Sequence, residues 1–221
     1  MNVLITSATL FEILPLQEYL NDQFETKDNK TYRKGKLTIQ LLVTGIGYFN
    51  TCFYLSRITQ TNTYDYVINL GIAGSFNRNL QLGDVVEIEK DTFSDIGVQE
   101  ANGQFTDWFD MGFMNKDETP FSDGWICNKT SGSLKTVSCI TSNLVHGHTP
   151  SINRIFKKYQ ADIQTMESAA ILFICQVDQI PCTLIRSISN YVEERNKDQW
   201  DIPLAIESLN KVAIDLVESF E

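Results

Sequence analysis

Short apolar runs of strand type alternate along this chain with helical patterns, and that alternation limits the fold more than any other feature. Val3-Leu4-Ile5 reads as a buried strand, and residues 10–20, with apolar Phe11, Leu14, Leu16 and Leu20, follow as a helix. Residues 37–44 form the next strand, launched by the turn signal Lys34-Gly35-Lys36, and a Gly45-Ile46-Gly47 break leads into a helix through Ile58. A third strand over 66–70 ends in Gly71-Ile72-Ala73-Gly74-Ser75, which reads as a tight strand-to-loop turn whose backbone comes close to a ligand. Strand character returns at 85–88 and 134–140. After Pro150 come a helix over 152–159, a short strand over 162–165, a helix opened by Glu167, a strand closing on Asn190 and an amphipathic helix from about 202 to 220. Such repeats predict a single α/β domain over residues 1–221, with a central twisted, mostly parallel mixed β-sheet flanked by helices. The long segment between 88 and 134 carries Trp108, Phe109, Phe113 and Phe121. Loops of that length are usually functional; a surface excursion packed on its own aromatics is the alternative.

Composition narrows the possible partners. A chain of 221 residues with 43% hydrophobic and 21% charged residues can bury a full core. Its net charge of −10 argues against a nucleic-acid backbone, whose binding needs clustered Lys and Arg. Met1-Asn2-Val3-Leu4-Ile5-Thr6 has no leader pattern, and no uncharged stretch reaches the roughly 20 residues of a membrane helix, so a cytoplasmic protein without a membrane partner is expected. The five scattered cysteines read as reduced, buried small hydrophobes. His146 and His148 lack a nearby third ligand, so neither a metal nor another cofactor is expected.

A few polar residues stand where such a sheet presents ligands. Glu12 lies just beyond the C-terminal end of the first strand and is a candidate general base; a solvated first-turn glutamate favouring the helix dipole is the alternative. Glu167 is placed to accept hydrogen bonds from the vicinal hydroxyls of a sugar, with Met166 packing on the ribose, and a carboxylate helix cap is its alternative. Asn190 offers a planar amide suited to bidentate reading of a base edge. The Gly71–Ser75 motif lacks the Lys and the spacing of a phosphate-binding loop.

These motifs resemble the purine nucleoside phosphorylase/nucleosidase superfamily. Glu12, Gly71-Ile72-Ala73-Gly74-Ser75, Leu82-Gly83-Asp84-Val85-Val86, Thr165-Met166-Glu167-Ser168-Ala169-Ala170 and Ile185-Arg186-Ser187-Ile188-Ser189-Asn190 occur in that superfamily's order over nearly the whole chain. Its methylthioadenosine/S-adenosylhomocysteine nucleosidases end the last motif in Ser-Asp, the aspartic acid protonating N7 of the leaving adenine. Here Asn190 stands instead; its NH₂ can bond O6 and its carbonyl can accept from protonated N7, which suits a 6-oxopurine such as hypoxanthine. Asn190, the 195–200 segment and Ser94-Asp95-Ile96-Gly97-Val98 with the following aromatic loop look most like the futalosine hydrolases. Enzymes of that family release hypoxanthine from futalosine on an alternative route to menaquinone.

The resemblance implies a metal-free hydrolase. Glu12 would activate water, Glu167 would hold the 2′ and 3′ hydroxyls, Asn190 would stabilise the departing base with Ser189 supporting its orientation, and Gly74 and Met166 would contact substrate. The aromatic loop would cover the 5′ extension, and the protein would be a homo-oligomer, a dimer or dimer of dimers. A methylthioadenosine/S-adenosylhomocysteine nucleosidase and a catalytically inactive nucleoside-binding protein are alternatives. So is a phosphorylase, although phosphorylases hold phosphate with arginines near the first strand, and the first arginine of this chain is Arg33.

Overall fold

The structure, a computed structural model, describes residues 1–28, 30–194 and 196–220. Its first half contains β1 (Asn2–Ser7), α1 (Leu10–Gln23), β2 (Glu25–Asp28), β3 (Thr31–Lys34), β4 (Leu37–Val43), α2 (Tyr48–Thr61), β5 (Tyr66–Ser75) and β6 (Val85–Phe93). The second half adds β7 (Gly97–Gln99), β8 (Phe105–Asp107), β9 (Ile126–Cys127), β10 (Lys135–Thr141), α3 (Thr149–Tyr159), β11 (Ile163–Thr165), α4 (Ser168–Val177), β12 (Cys182–Tyr191) and α5 (Ile202–Glu218).

The central sheet runs β11-β10-β6-β12-β5-β1-β4-β3-β2, with β9 added on β6. Pairings β4–β1, β1–β5 and β5–β12 are parallel, as are β6–β10 and β10–β11, whereas β12 meets β6 antiparallel. β11 also pairs antiparallel with β5, Gln164 opposite Gly74, so one end of the sheet closes into a ring of β5, β12, β6, β10 and β11. The mixed, mostly parallel sheet with helices on both faces is the expected architecture.

Both faces are buried, which is why the strands read as continuous apolar runs instead of alternating ones. Val3 and Ile5 face a cluster built with Ile13, Leu16 and Leu20 of α1 and Leu209, Ala213 and Val217 of α5. Leu4, between them, faces the opposite cluster with Leu55 of α2 and Ala169–Leu172 of α4. Neighbouring residues of β5 and β12 divide in the same way: Val67 and Leu184 go one way, Ile68 and Ile185 the other.

Two expectations are corrected, and one hairpin is added. The Gly71–Ser75 segment is not a turn: β5 continues through it, paired along its length to β12 and at Gly74 and Ser75 also to β11, and neither glycine has a positive φ. The hairpin of β2 and β3 was not foreseen, because Glu-Thr-Lys-Asp and Thr-Tyr-Arg-Lys are mostly polar and lie at an exposed edge. Of the cysteines, Cys139, Cys175 and Cys182 are buried, but Cys127 is exposed. The aromatic excursion packs on the core: Trp108 lies edge-on to Phe93 and Phe121, with centroids 6.1 and 5.7 Å away, and Phe121 continues to Phe173 of α4. Among the described residues no helix is long and apolar enough to cross a membrane.

Candidate active site

A cavity of about 340 Å³ opens at the C-terminal ends of β1, β5, β11 and β12, the edge where α/β sheets place ligands. Glu12, Gly74, Met166, Glu167, Ser189 and Asn190 all line it. The residues singled out in the sequence, more than 170 positions apart at the extremes, are therefore brought around one space.

Glu12 sits in the first turn of α1, but not as a solvated residue: it is 8% exposed and tightly held. Oε2 accepts from Ser7 Oγ at 3.0 Å and from the Thr9 amide and hydroxyl, each at 2.9 Å. Thr9 Oγ1 in turn accepts from the Glu12 amide at 3.4 Å, so Thr9 and Glu12 form a reciprocal capping box. The second oxygen, Oε1, accepts from the Ile72 amide at 3.2 Å. Loaded on Oε2 and lightly engaged on Oε1, the carboxylate is held in one orientation with Oε1 left to take a proton.

Gly71 and Gly74 explain why β5 can pass so close to these groups. A Cβ at Gly71 would lie 3.2 Å from Glu12 Oε1 and 3.5 Å from Arg186 Nε; one at Gly74 would lie 3.0 Å from Val192 Cγ2 and 3.2 Å from Asn190 Nδ2. The glycines are needed for close approach, not for backbone conformation.

Glu167 occupies the N-cap position of α4 yet makes no capping bond with its side chain. Instead Oε1 reaches the Gly47 amide, 120 positions away, at 2.8 Å. Burial pushes its carboxyl above the ordinary value, opposed by the Gly47 amide and the Arg186 guanidinium and reinforced by the like charge of Glu12. The Met166 amide pulls the same way as that of Gly47, and Glu167 lines the cavity.

Asn190 lies beside the bulge at the end of β12, opposite Gly74. Ser189 Oγ donates to its Oδ1 at 2.9 Å, and its Nδ2 donates to the Tyr191 carbonyl at 3.0 Å. An amide carries two N–H donors and two acceptor lone pairs, so among the described residues one of each is left over at the cavity. Arg195, in the segment noted beside Asn190, lies outside the described residues; Trp200, at that segment's other end, lines the cavity.

Several residues of the site were not assigned roles from the sequence. Thr9 could have been, since Thr9-Leu10-Phe11-Glu12 is a capping-box pattern. Arg186 had a signal too, a lone charge inside an apolar strand. It is 1% exposed, donates to Ile185 O at 2.8 Å, Asn69 O at 3.2 Å and Ser168 Oγ at 2.8 Å, and also bonds Asn69 Oδ1. The reach of Gly47 to Glu167 had none. Arg33 lies on β3, donates to Gly35 O and does not line the cavity.

Fold and site together define an open α/β ligand site built from two carboxylates and an amide at strand ends. The family model of the phosphorylase superfamily matches residues 2–220, and the chain belongs to that superfamily. A 5′-methylthioadenosine/S-adenosylhomocysteine nucleosidase from Geobacillus sp. is 25% identical, covering 99% of this chain and 97% of its own. A futalosine hydrolase from Thermus thermophilus is 24% identical over 76% of each chain. Among solved structures, futalosine hydrolase of Helicobacter pylori matches with a TM-score of 0.80 at 18% identity, covering 99% of this chain and 98% of its own. The Helicobacter pylori 5′-methylthioadenosine/S-adenosylhomocysteine nucleosidase, complexed with a substituted pyrrolidin-3-ol, also reaches 0.80 at 19% identity with the same coverage.

Proposed function

We propose that this chain is an N-glycosyl hydrolase of purine nucleosides and that its substrate is a 6-oxopurine nucleoside, futalosine above others, yielding hypoxanthine and dehypoxanthine futalosine for menaquinone synthesis. Relatives of both kinds named above carry nucleosidase or hydrolase names, which supports the general activity. The observation that carries the choice of base is Asn190. With Oδ1 fixed by Ser189 and one N–H taken by Tyr191 O, the amide keeps one donor for O6 and one acceptor for a protonated N7.

The reaction follows from the two carboxylates. As the C1′–N9 bond loosens, the ribose gains oxocarbenium character, and negative charge fixed in a cavity with a largely apolar lining stabilises it. Water attacks C1′ and gives its proton to Glu12 Oε1, while the C1′–N9 electron pair leaves with the base, whose N7 takes a proton from a solvent water and then donates it in a hydrogen bond to Asn190 Oδ1. Glu167 accepts from the 2′ and 3′ hydroxyls through Oε2, and Met166 packs on the sugar. Gly74 lets the amide of Asn190 lie against the strand.

A methylthioadenosine/S-adenosylhomocysteine nucleosidase is the second reading, supported by the near full-length match to the Geobacillus protein. Exposed Ile46, Phe49 and Phe53 around the start of α2 support a homo-oligomer in which a second copy covers that rim, and light scattering would report its size. The activity is tested by chromatography of free base after incubation with futalosine, inosine or methylthioadenosine, with and without phosphate. Phosphate-independent hypoxanthine release from futalosine is the expected result. Release only with phosphate would make the chain a phosphorylase, adenine from methylthioadenosine would overturn the reading of Asn190, and binding without turnover would make it a nucleoside-binding protein.

A further inference from the structure

Pro15 lies inside α1, three residues after Glu12. A proline there removes the N–H that would bond Phe11 O and crowds that carbonyl with its ring. At this weak point a side chain from another helix enters. Asn210 of α5, 2% exposed, accepts from the Leu16 amide through Oδ1 at 3.0 Å and donates through Nδ2 to the Glu12 carbonyl at 2.8 Å. Glu12 O and Leu16 N are the pair that an uninterrupted helix joins directly, so the amide spans one rung of the ladder. Its remaining N–H goes to Ile206 O in its own helix at 2.7 Å, which leaves both donors used.

The same helix also touches the other end of the site. Asp201, the N-cap of α5, donates its amide to Ser189 O at 2.9 Å and accepts from the Leu204 amide at 3.0 Å, while Ile202 and Ile206 line the cavity. One rigid element therefore grips the backbone of Glu12 and the backbone beside Asn190.

We propose that Asn210 is a positioning residue, which, together with Pro15, sets where Glu12 stands relative to the base held at Asn190. The proposal rests on the reading of Glu12 as the group that activates water. Helices bend where a proline or an inserted side chain interrupts the ladder, and Asn210 determines how far this one bends. Displacement of a reacting group by about 1 Å is enough to lose roughly 10²-fold in rate.

The test compares Asn210→Leu, Pro15→Ala/Asn210→Leu and Glu12→Gln with the wild-type chain, by free-base release well below each variant's Tm. Asn210→Leu is expected to lose about 10- to 100-fold in kcat with KM changed by less than about 3-fold. Adding Pro15→Ala supplies the missing N–H and lets α1 close its own ladder, so the double variant recovers most of that loss. Should Asn210→Leu not fold, Asn210→Asp keeps the acceptor for Leu16, loses both donors and carries the same expectation. A fall in Tm with kcat within about 2-fold of wild type, a loss expressed mainly in KM, or no recovery in the double variant would overturn the proposal. If Glu12→Gln itself keeps the wild-type rate, the reading of Glu12 has failed; if it loses rate and the Asn210 variants do not, only the positioning role has failed.

Discussion

Gly74→Ala is the smallest change that separates the packing role of a glycine from the chemistry beside it. A Cβ at this position meets Val192 Cγ2 at 3.0 Å and Asn190 Nδ2 at 3.2 Å, both closer than ordinary contact. The backbone cannot retreat, because Gly74 is paired with Asn190 on β12 and with Gln164 on β11. The displacement must fall on the two side chains, both of which line the cavity. Overpacking of this kind typically destabilises by about 1–3 kcal/mol, and the lower unfolded-state entropy of Ala returns about 0.4–1 kcal/mol where φ permits it. A net loss of about 1–2 kcal/mol corresponds to a fall in Tm of roughly 2–8 °C for a chain of this size. Moving the Asn190 amide by several tenths of an ångström should lower kcat/KM for base release by about 10-fold or more. Thermal unfolding by circular dichroism and base-release kinetics read the two effects separately. Adding Val192→Ala removes the nearer contact and should restore Tm while the crowding at Asn190, and with it the slow rate, persists. A Gly74→Ala variant with wild-type Tm and wild-type kcat/KM would refute the claim that close approach is what this glycine serves.

Other perturbations follow from the same geometry. Asp91 is wholly buried, and burial pushes its carboxyl from 3.8 up to about 7 against the pull of the Thr141 hydroxyl, Cys139, the Thr92 amide and Arg186. Between those values the unfolded chain has lost this proton and the folded chain has kept it, so stability declines with rising pH across that window, by at most about 4 kcal/mol. Asp91→Asn should flatten the decline and raise Tm at pH 8, and identical pH profiles of Tm for the two proteins would sink the argument. Glu12→Gln should lose about 10²–10⁴-fold in kcat; it should also lose about 0.5–2 kcal/mol of stability, because its single acceptor oxygen cannot replace both carboxylate oxygens and its NH₂ must face either the Ile72 amide or the Ser7 and Thr9 donors. Asn190→Asp should shift the ratio of kcat/KM from 6-oxo towards 6-aminopurine nucleosides, since a protonated carboxyl donates to N7; equal losses on both would make Asn190 a structural residue.

Strand faces were legible in the sequence because they are local: a buried parallel strand announces itself by apolar residues at every position, as Val3-Leu4-Ile5 does. Glu12, Glu167 and Asn190 were legible for the complementary reason, as polar residues that break an apolar pattern at an element's end. The glycine-rich end of β5 was misread. Gly71 and Gly74 carry no side chain whose periodicity could mark a strand, and what holds them extended is pairing to β12 and β11, more than 85 positions away. The aromatic excursion was ambiguous because its outcome depends on whether Trp108 and Phe121 find Phe93 and Phe173.

The residues that carry the proposed chemistry and those that hold them in place differ in this respect. Glu12 can be picked out from the residues around it, and Ser7 and Thr9 hold its Oε2 locally, but its Oε1 is met by Ile72, 60 positions away, and its carbonyl by Asn210, 198 positions away. A local pattern of propensity and charge says where a reactive group can be placed. Its final orientation depends on contacts between distant segments, each satisfying a backbone donor or acceptor that the local pattern leaves open. Pro15, like the lone charge of Arg186, is a local sign of such a contact. A proline inside a helix leaves backbone groups that some other part of the fold must satisfy, and in this chain that part is the helix that also lines the cavity.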